Sequence, residues 1–177
     1  GQQAILFGWV VEKKAFGDAL PHLSLNAVRD GVPLCLNRCG FVSSTTVPRA
    51  GARVPVGRIG TYTIKLVKTH WVLAYNTKVI GYFPTAVWHG KLHRSHLIQA
   101  FGTVASPSAT KPRSQMGNGQ FGTAPRAAKL IGLKVLGSIG TPAYSYIAAD
   151  APNTYTVGRF NAACTKACTT NYGGPGF

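Results

Sequence analysis

The chain has 177 residues, of which 19 are Lys or Arg and only four are Asp or Glu, so its formal net charge is +15. This length suits one hydrophobic core. With four carboxylates in the chain, few residues are available for a chemistry that needs a pair of them. A strongly positive surface attracts anions such as acidic polysaccharides. The basic residues are scattered, with Lys13 and Lys14 the only adjacent pair, so nothing directs the charge at a nucleic-acid groove and no specific nucleic-acid partner is expected.

Short runs of β-branched and aromatic residues, bounded by Gly, Pro and Asn, predict strands along the whole chain. The predicted strands are residues 4–11, 20–26, 40–44, 61–68, 71–75, 77–83, 101–105, 127–134, 143–147 and 155–160. Asn76 tolerates the left-handed conformation, so residues 75–78 predict a hairpin turn. Residues 85–99 predict a short helix, which Gly90 interrupts. The expected fold is all-β, an antiparallel β-sandwich or jelly-roll-like structure with one short helix, in a single domain over residues 1–177.

The four cysteines form two close pairs, Cys35 with Cys39 and Cys164 with Cys168. An even count in a Gly-rich chain favours two local disulfides and an oxidising, extracellular compartment. A zinc site is the alternative, but the spacing differs from the usual ribbon pattern and neither pair has a His nearby. No apolar run is long enough to cross a bilayer.

Three histidines, His89, His93 and His96, stand at i, i+4 and i+7 of the predicted helix. On a helix they would share one face, where two imidazoles can hold a metal ion. His89 is not followed by Glu, so the metalloprotease helix motif is missing. A polar helix face that gains charge in acid is the preferred interpretation, and no cofactor is expected.

Several motifs, in order along the chain, carry a family resemblance. They are Gly8-Trp9-Val10, the segment CLNRCGFV from Cys35 to Val42, Trp71-Val72-Leu73, the segment VIGYFP from Val79 to Pro84, QMGNG from Gln115 to Gly119 with Phe121, and YGGPG from Tyr172 to Gly176. Together they resemble the neprosin domain family over nearly the whole chain. The resemblance implies a secreted antiparallel β-sandwich, made with a propeptide, that cleaves peptides after proline with a pair of glutamates.

Both glutamate positions of that family are substituted in this sequence. The first, three residues before the tryptophan of the Gly-Trp strand, is Leu6, and the second is Thr103. Such a pair works by placing one carboxyl as acid and the other as base. Leu cannot transfer a proton, and a Thr hydroxyl does not titrate near a working pH. By the family pattern, Trp9, Gln115 and Phe121 would line the inherited cleft.

No other acid is expected to replace the pair. In an unbroken strand Glu12 would share the face of Leu6 but lie about 20 Å away. Asp18, Asp30 and Asp150 fall in predicted turns or loops, so all four acids are expected to cap turns or face solvent.

The resemblance also implies strands before the Gly-Trp segment that are not part of this sequence. A second chain or another copy is therefore expected to complete the sheet by strand addition, and a smaller closed sheet is the alternative.

The leading interpretation is a secreted, basic neprosin-like protein without glutamic peptidase activity, acting in binding or assembly. One alternative is an active proline-directed endopeptidase that uses other residues. Another is a cationic anion-binding or defence protein.

Overall fold

Strands form most of the regular secondary structure in the computed structural model, which describes residues 1–105, 113–137, 149, 151–158 and 168–176. The strands are β1 (Ala4–Val10), β2 (His22–Arg29), β3 (Val32–Pro33), β4 (Val42–Ser43), β5 (Tyr62–Val67), β6 (His70–Tyr75), β7 (Lys78–Pro84), β8 (Ala128–Leu133), β9 (Thr156–Val157) and β10 (Cys168–Gly173). They pair antiparallel in three sheets, β1-β2-β3, β4-β7-β6-β5 and β8-β10-β9. The all-β prediction is confirmed.

The chain divides into two units, an N-terminal unit from Gly1 to Leu97 and a C-terminal unit from Ile98 to Phe177. The first two sheets belong to the N-terminal unit and the third to the C-terminal unit. The interpretation of residues 1–177 as one domain stays a prediction. None of the described helices is long and apolar enough to cross a bilayer.

The core of the N-terminal unit lies between its two sheets. Its buried side chains come from β2, β6, β7 and the turn that follows β7, and they are Leu23, Leu25, Ala27, Trp71, Leu73, Tyr75, Ile80, Phe83 and Trp88. Because side chains alternate across a strand, the burial of every second residue of β2 gives it one core face. The opposite face of β1 and β2 carries Leu6, which pairs with Asn26.

The turn predicted at residues 75–78 is present and joins β6 to β7. Asn76 has a φ of 54°, in the left-handed region that Asn tolerates. The Asn76 Oδ1 also accepts a hydrogen bond of 3.0 Å from the backbone N–H of Thr61. The turn residue thereby fixes the start of the neighbouring edge strand β5.

Two consecutive glycines in the C-terminal unit explain the closing YGGPG motif. Gly173 has a φ of 145°, and a Cβ there would collide with the carbonyl oxygen of Gln120. A Cβ at Gly174 would collide with the carbonyl oxygen of Thr154. The backbone at the end of β10 and just after it can approach these loops closely only because both residues lack a side chain.

The helix predicted over residues 85–99 was wrong. Only a 3-10 turn forms, at Thr85–Trp88, and residues 89 and 90 then take left-handed conformations with φ of 52° and 74°. Trp88 is fully buried and its indole Nε1–H donates a 2.7 Å hydrogen bond to the carbonyl oxygen of Val28. Anchoring of this indole in the core outweighs a helical pattern that Gly90 already weakens. Among the described residues, the short α-helix is instead α1 (Lys13–Phe16).

The strand predicted at residues 101–105 was also wrong, since these residues have no regular secondary structure. The strand predicted at residues 20–26 begins two residues later, at His22, and continues to Arg29. The strand predicted at residues 143–147 lies outside the described residues, as does the end of the one predicted from residue 155.

Candidate functional site

Leu6 lies in the middle of β1, directly opposite Asn26 of β2. Residues paired in this way have their Cβ atoms about 5 Å apart on the same face of the sheet. Leu6 is 37% exposed, although it is a large apolar side chain. The Oδ1 atom of Asn26 is buried, and no described residue donates a hydrogen bond to it. An apolar side chain therefore faces an unsatisfied amide acceptor.

Trp9 is predicted to line the same cleft as Leu6, and the register separates the two side chains. Trp9 pairs with Leu23, whose side chain points into the core, whereas Leu6 pairs with Asn26. Alternation along β1 places residues three apart on opposite faces. Trp9 is 41% exposed, so it lies at the rim of the core face rather than beside Leu6.

Thr103 belongs to the C-terminal unit and is exposed. The residue before it, Gly102, lies against Met116, since a Cβ at Gly102 would be 3.2 Å from the Met116 Sδ atom. Gln115 directly precedes this methionine in the chain. The Gln115 side chain covers Gly119, whose added Cβ would be 2.8 Å from the Gln115 Cδ atom.

Phe121 follows directly on this turn and is 37% exposed. The turn itself is held by Asn118, whose Nδ2 donates a 2.7 Å hydrogen bond to the carbonyl oxygen of Arg126. Gln115 and Phe121 therefore flank one turn of the C-terminal unit. The lining of a cleft by Trp9, Gln115 and Phe121 stays a prediction.

The Neprosin family model matches residues 1–175. The chain belongs to the neprosin family. A search of curated proteins found no match. The match extends over the segments that contain Leu6 and Thr103, and it shows the family without showing an activity for this chain.

Two separate motifs of this neprosin chain form one packed structure. The Gly-Phe-Val segment supplies β4, in which Val42 pairs with Tyr82 of β7. The Phe41 and Phe83 rings meet edge to face, with centroids 5.1 Å apart. Gly81 has a φ of 149°, and a Cβ there would collide with the Phe41 ring. Phe41 and Phe83 of these motifs therefore pack in or against the core of the N-terminal unit.

The disulfide between Cys35 and Cys39 is confirmed, with the two Cα atoms 5.5 Å apart. It closes the loop that leads into β4. The second predicted disulfide, between Cys164 and Cys168, stays a prediction because these side chains lie outside the described residues.

The three histidines of the predicted helix do not share a helix face, because the helix does not form. His89 ends the 3-10 turn in the left-handed conformation, and His93 and His96 follow in irregular chain. Within the described ranges, no group of three or more His, Cys, Asp or Glu side chains is arranged to hold a metal ion. The geometric argument for a metal site at these residues is thereby lost.

Glu12 does not extend the strand of Leu6, because β1 ends at Val10. It is instead the N-cap of α1, and its Oε1 accepts a 3.2 Å hydrogen bond from the backbone N–H of Lys14. Asp30 lies in the β2–β3 turn, with Lys91 Nζ 3.6 Å from its Oδ1 and the Gln3 Nε2 2.7 Å from the same atom. The hydrogen bond from Gln3 and the charge of Lys91 lower the pKa of Asp30.

Asp18 lies at the centre of a cluster that the sequence patterns did not reveal. Its Oδ1 atom is 2.9 Å from the Nε2 of His22, and its Oδ2 accepts a 2.8 Å hydrogen bond from the Nη2 of Arg53. The hydrogen bond from His22, with one from the Leu20 N–H and the ion pair with Arg53, lowers the pKa of Asp18 from 3.8 to about 2. The spacing of Asp18 and His22 is visible in the sequence, but the approach of Arg53 from a distant loop is not.

Proposed function

We propose that this neprosin-family chain lacks glutamic peptidase activity and acts in binding or assembly outside the cell. The observation that carries the proposal is the chemistry of the side chains at the two glutamate positions. Leu6 has no proton to transfer, and the hydroxyl of Thr103 would need a neighbouring base to react. The Leu6 side chain also presents an apolar group where an acid would polarise water.

The other described carboxylates do not offer a replacement pair, which weighs against an active proline-directed endopeptidase that uses other residues. Glu12 caps a helix, Asp18 binds His22 and Arg53, and Asp30 binds Gln3 and Lys91. A lowered pKa keeps Asp18 and Asp30 ionised, whereas a general acid needs a raised one. Each of these three acids is thus engaged in local structure, and Asp150 lies outside the described residues.

A peptidase assay tests the proposal. We expect no cleavage of a proline-containing peptide by the natural chain at about pH 3 to 5, where one carboxyl of a coupled pair holds a proton. The double variant Leu6→Glu with Thr103→Glu restores both acids, and Leu6→Gln with Thr103→Gln is its matched control of similar shape. Cleavage by the natural chain would contradict the proposal, whereas cleavage by the double Glu variant alone would support it.

Assembly by strand addition is supported by the edge position of β1. Among the described strands β1 pairs only with β2, and residues 4–10 contain no charge and no proline. Proteins usually protect exposed edges with such residues, and unprotected edges pair with other chains. We propose that a second chain, or a second copy, adds a strand along β1.

Light scattering coupled to size-exclusion chromatography measures this assembly. A Cβ added at Gly8 meets nothing within 4 Å, so Gly8→Lys places a charge in the edge strand without a clash and is expected to abolish association. Gly8→Ala is the uncharged control. A natural chain that elutes as a monomer with no bound peptide would contradict strand addition.

Anion binding is the second candidate function, because most of the positive charge is uncompensated. Among the Lys and Arg side chains of the described residues, only Arg53 and Lys91 lie within ion-pair distance of a carboxylate. The remaining cations are available to an anionic polysaccharide. Secretion agrees with the Cys35–Cys39 disulfide, since such bonds persist in oxidising compartments.

A further inference from the structure

His22 is a buried titratable side chain, with 6% of its surface exposed. Its imidazole stacks on the ring of Phe16, with centroids 4.2 Å apart and planes 6° from parallel. Phe16 belongs to α1 and covers one face of the imidazole ring. The two ring-nitrogen contacts are partly buried, since the Asp18 side chain that makes one of them is 26% exposed.

Both ring nitrogens of His22 face hydrogen-bond acceptors. Nδ1 is 2.7 Å from the carbonyl oxygen of Gly51, and Nε2 is 2.9 Å from the Oδ1 of Asp18. A carbonyl oxygen can only accept, and an ionised carboxylate can only accept. A neutral imidazole has one N–H, so it would leave one nitrogen lone pair directed at an oxygen lone pair. Both contacts are satisfied only when the ring carries two N–H groups.

We propose that His22 is a doubly protonated latch that fastens the loop around Gly51 to the start of β2, and that losing one ring proton opens this latch. Backbone hydrogen bonds also join this loop to residues 21–23, around the start of β2. Gly51 N–H donates to the Leu23 carbonyl at 2.9 Å, and Val54 N–H donates to the Pro21 carbonyl at 2.8 Å. They lie next to the imidazole contact with the Gly51 carbonyl, so opening of the latch is expected to weaken them.

Two charged groups act on the ring, Asp18 from the turn after α1 and Arg53 from the loop itself. Asp18 favours the imidazolium, whereas the like charge of Arg53 disfavours it. The Arg53 guanidinium binds the outer oxygen of Asp18, which keeps the carboxylate ionised and directed at His22. The other faces of the ring meet the uncharged Phe16 and the Gly51 carbonyl.

The latch has a pH window whose limits follow from these contacts. The hydrogen bond to the Gly51 carbonyl, with that to Asp18, raises the pKa of His22 above its ordinary 6.5. Its stabilisation is therefore complete below pH 6.5 and is lost as the pH rises through the folded-state value. The contribution of Asp18 is complete above pH 3.8 and is lost as the pH falls through about 2. Both contributions are present together between these limits.

Nuclear magnetic resonance of the natural chain, labelled with ¹⁵N at histidine, tests the proposal directly. We expect both His22 ring nitrogens to be protonated at pH 6.5 and the titration midpoint to lie above 6.5. Asp18→Asn removes the attracting charge and should lower that midpoint by about one unit or more. Asp30→Asn is the matched control. It removes an ion-paired acid that is not among the ring contacts of His22, so the titration midpoint of His22 should stay unchanged. One protonated ring nitrogen in the natural chain at pH 6.5 would overturn the proposal.

Hydrogen exchange separates a latch from a merely buried histidine. As the pH rises through the His22 midpoint, the Gly51 and Val54 amides should lose protection relative to the Asn76 amide, whose 2.7 Å bond to the Thr61 carbonyl is remote from His22. His22→Gln removes the titration and assigns the His22 signal, and the change in protection with pH should vanish in it. Equal loss of protection at all three amides in the natural chain would contradict a local latch.

Discussion

At the scale of single residues, the same residue type has opposite roles at different positions. Gly8 sits in β1 with open space where a side chain would be, whereas a Cβ at Gly81 would collide with the Val42 carbonyl oxygen and the Phe41 ring. Leu6 and Leu23 belong to neighbouring strands, yet one is 37% exposed and the other is fully buried. What each residue contributes depends on its face and its neighbours, not on its type.

The two glycines give a matched prediction. Gly81→Ala must strain a backbone with φ of 149° and displace an aromatic ring, so we expect it to lower the free energy of unfolding by about 1–3 kcal/mol. Gly8→Ala should change it by less than about 0.5 kcal/mol. Urea unfolding measures both. Equal stability of the two variants would show that the packing of Phe41 against Gly81 is not needed.

At the scale of elements, the hairpins follow from local patterns, whereas the segment after β7 does not. β6, its Asn76 turn and β7 match the prediction to within about one residue, since alternation and turn chemistry act over neighbouring positions. The predicted helix at residues 85–99 fails because Trp88 is drawn into the core, and only one short 3-10 turn can precede the left-handed His89. The three-histidine face was predicted from that helix and fails with it.

Two tryptophans test how far this turn depends on its anchor. Trp88→Phe loses the hydrogen bond to the Val28 carbonyl and leaves a gap in the core, so we expect a loss of about 2–4 kcal/mol of unfolding free energy. Trp9→Phe changes a side chain that is 41% exposed and should cost less than about 1 kcal/mol. Thermal unfolding compares them, and a larger loss at Trp9 would contradict the core assignment.

At the scale of the whole molecule, the charge of +15 dominates the long-range interactions. The described acids are all engaged locally, so they do not offset the field of the unpaired cations. A field of this kind attracts polyanions and repels copies of the same chain. Self-association along β1 would therefore have to overcome this repulsion, and high salt should favour it.

Chromatography on a sulfated polysaccharide tests whether the positive charge of the chain binds polyanions. We expect the natural chain to bind at low salt and to elute as salt rises, because the screening length falls from about 10 Å at 0.1 M to about 3 Å at 1 M. The variant Lys13→Glu with Lys14→Glu changes two exposed side chains of α1 and should elute at lower salt. Elution that does not respond to salt would argue against anion binding.

The sequence by itself determined the all-β class, most strands of the N-terminal unit, the disulfide at Cys35 and the family. These features depend on residue identity or on patterns over a few neighbouring positions. That Leu6 and Thr103 occupy the two glutamate positions stays a prediction. Alternation along the predicted strand already separates Leu6 from Trp9, but only the tertiary structure showed which face of β1 the core covers. Only it brought the Gly51 carbonyl to His22 and the Arg53 guanidinium to Asp18. Strand register and loop approach join residues far apart in the chain, and no local pattern encodes which of them meet.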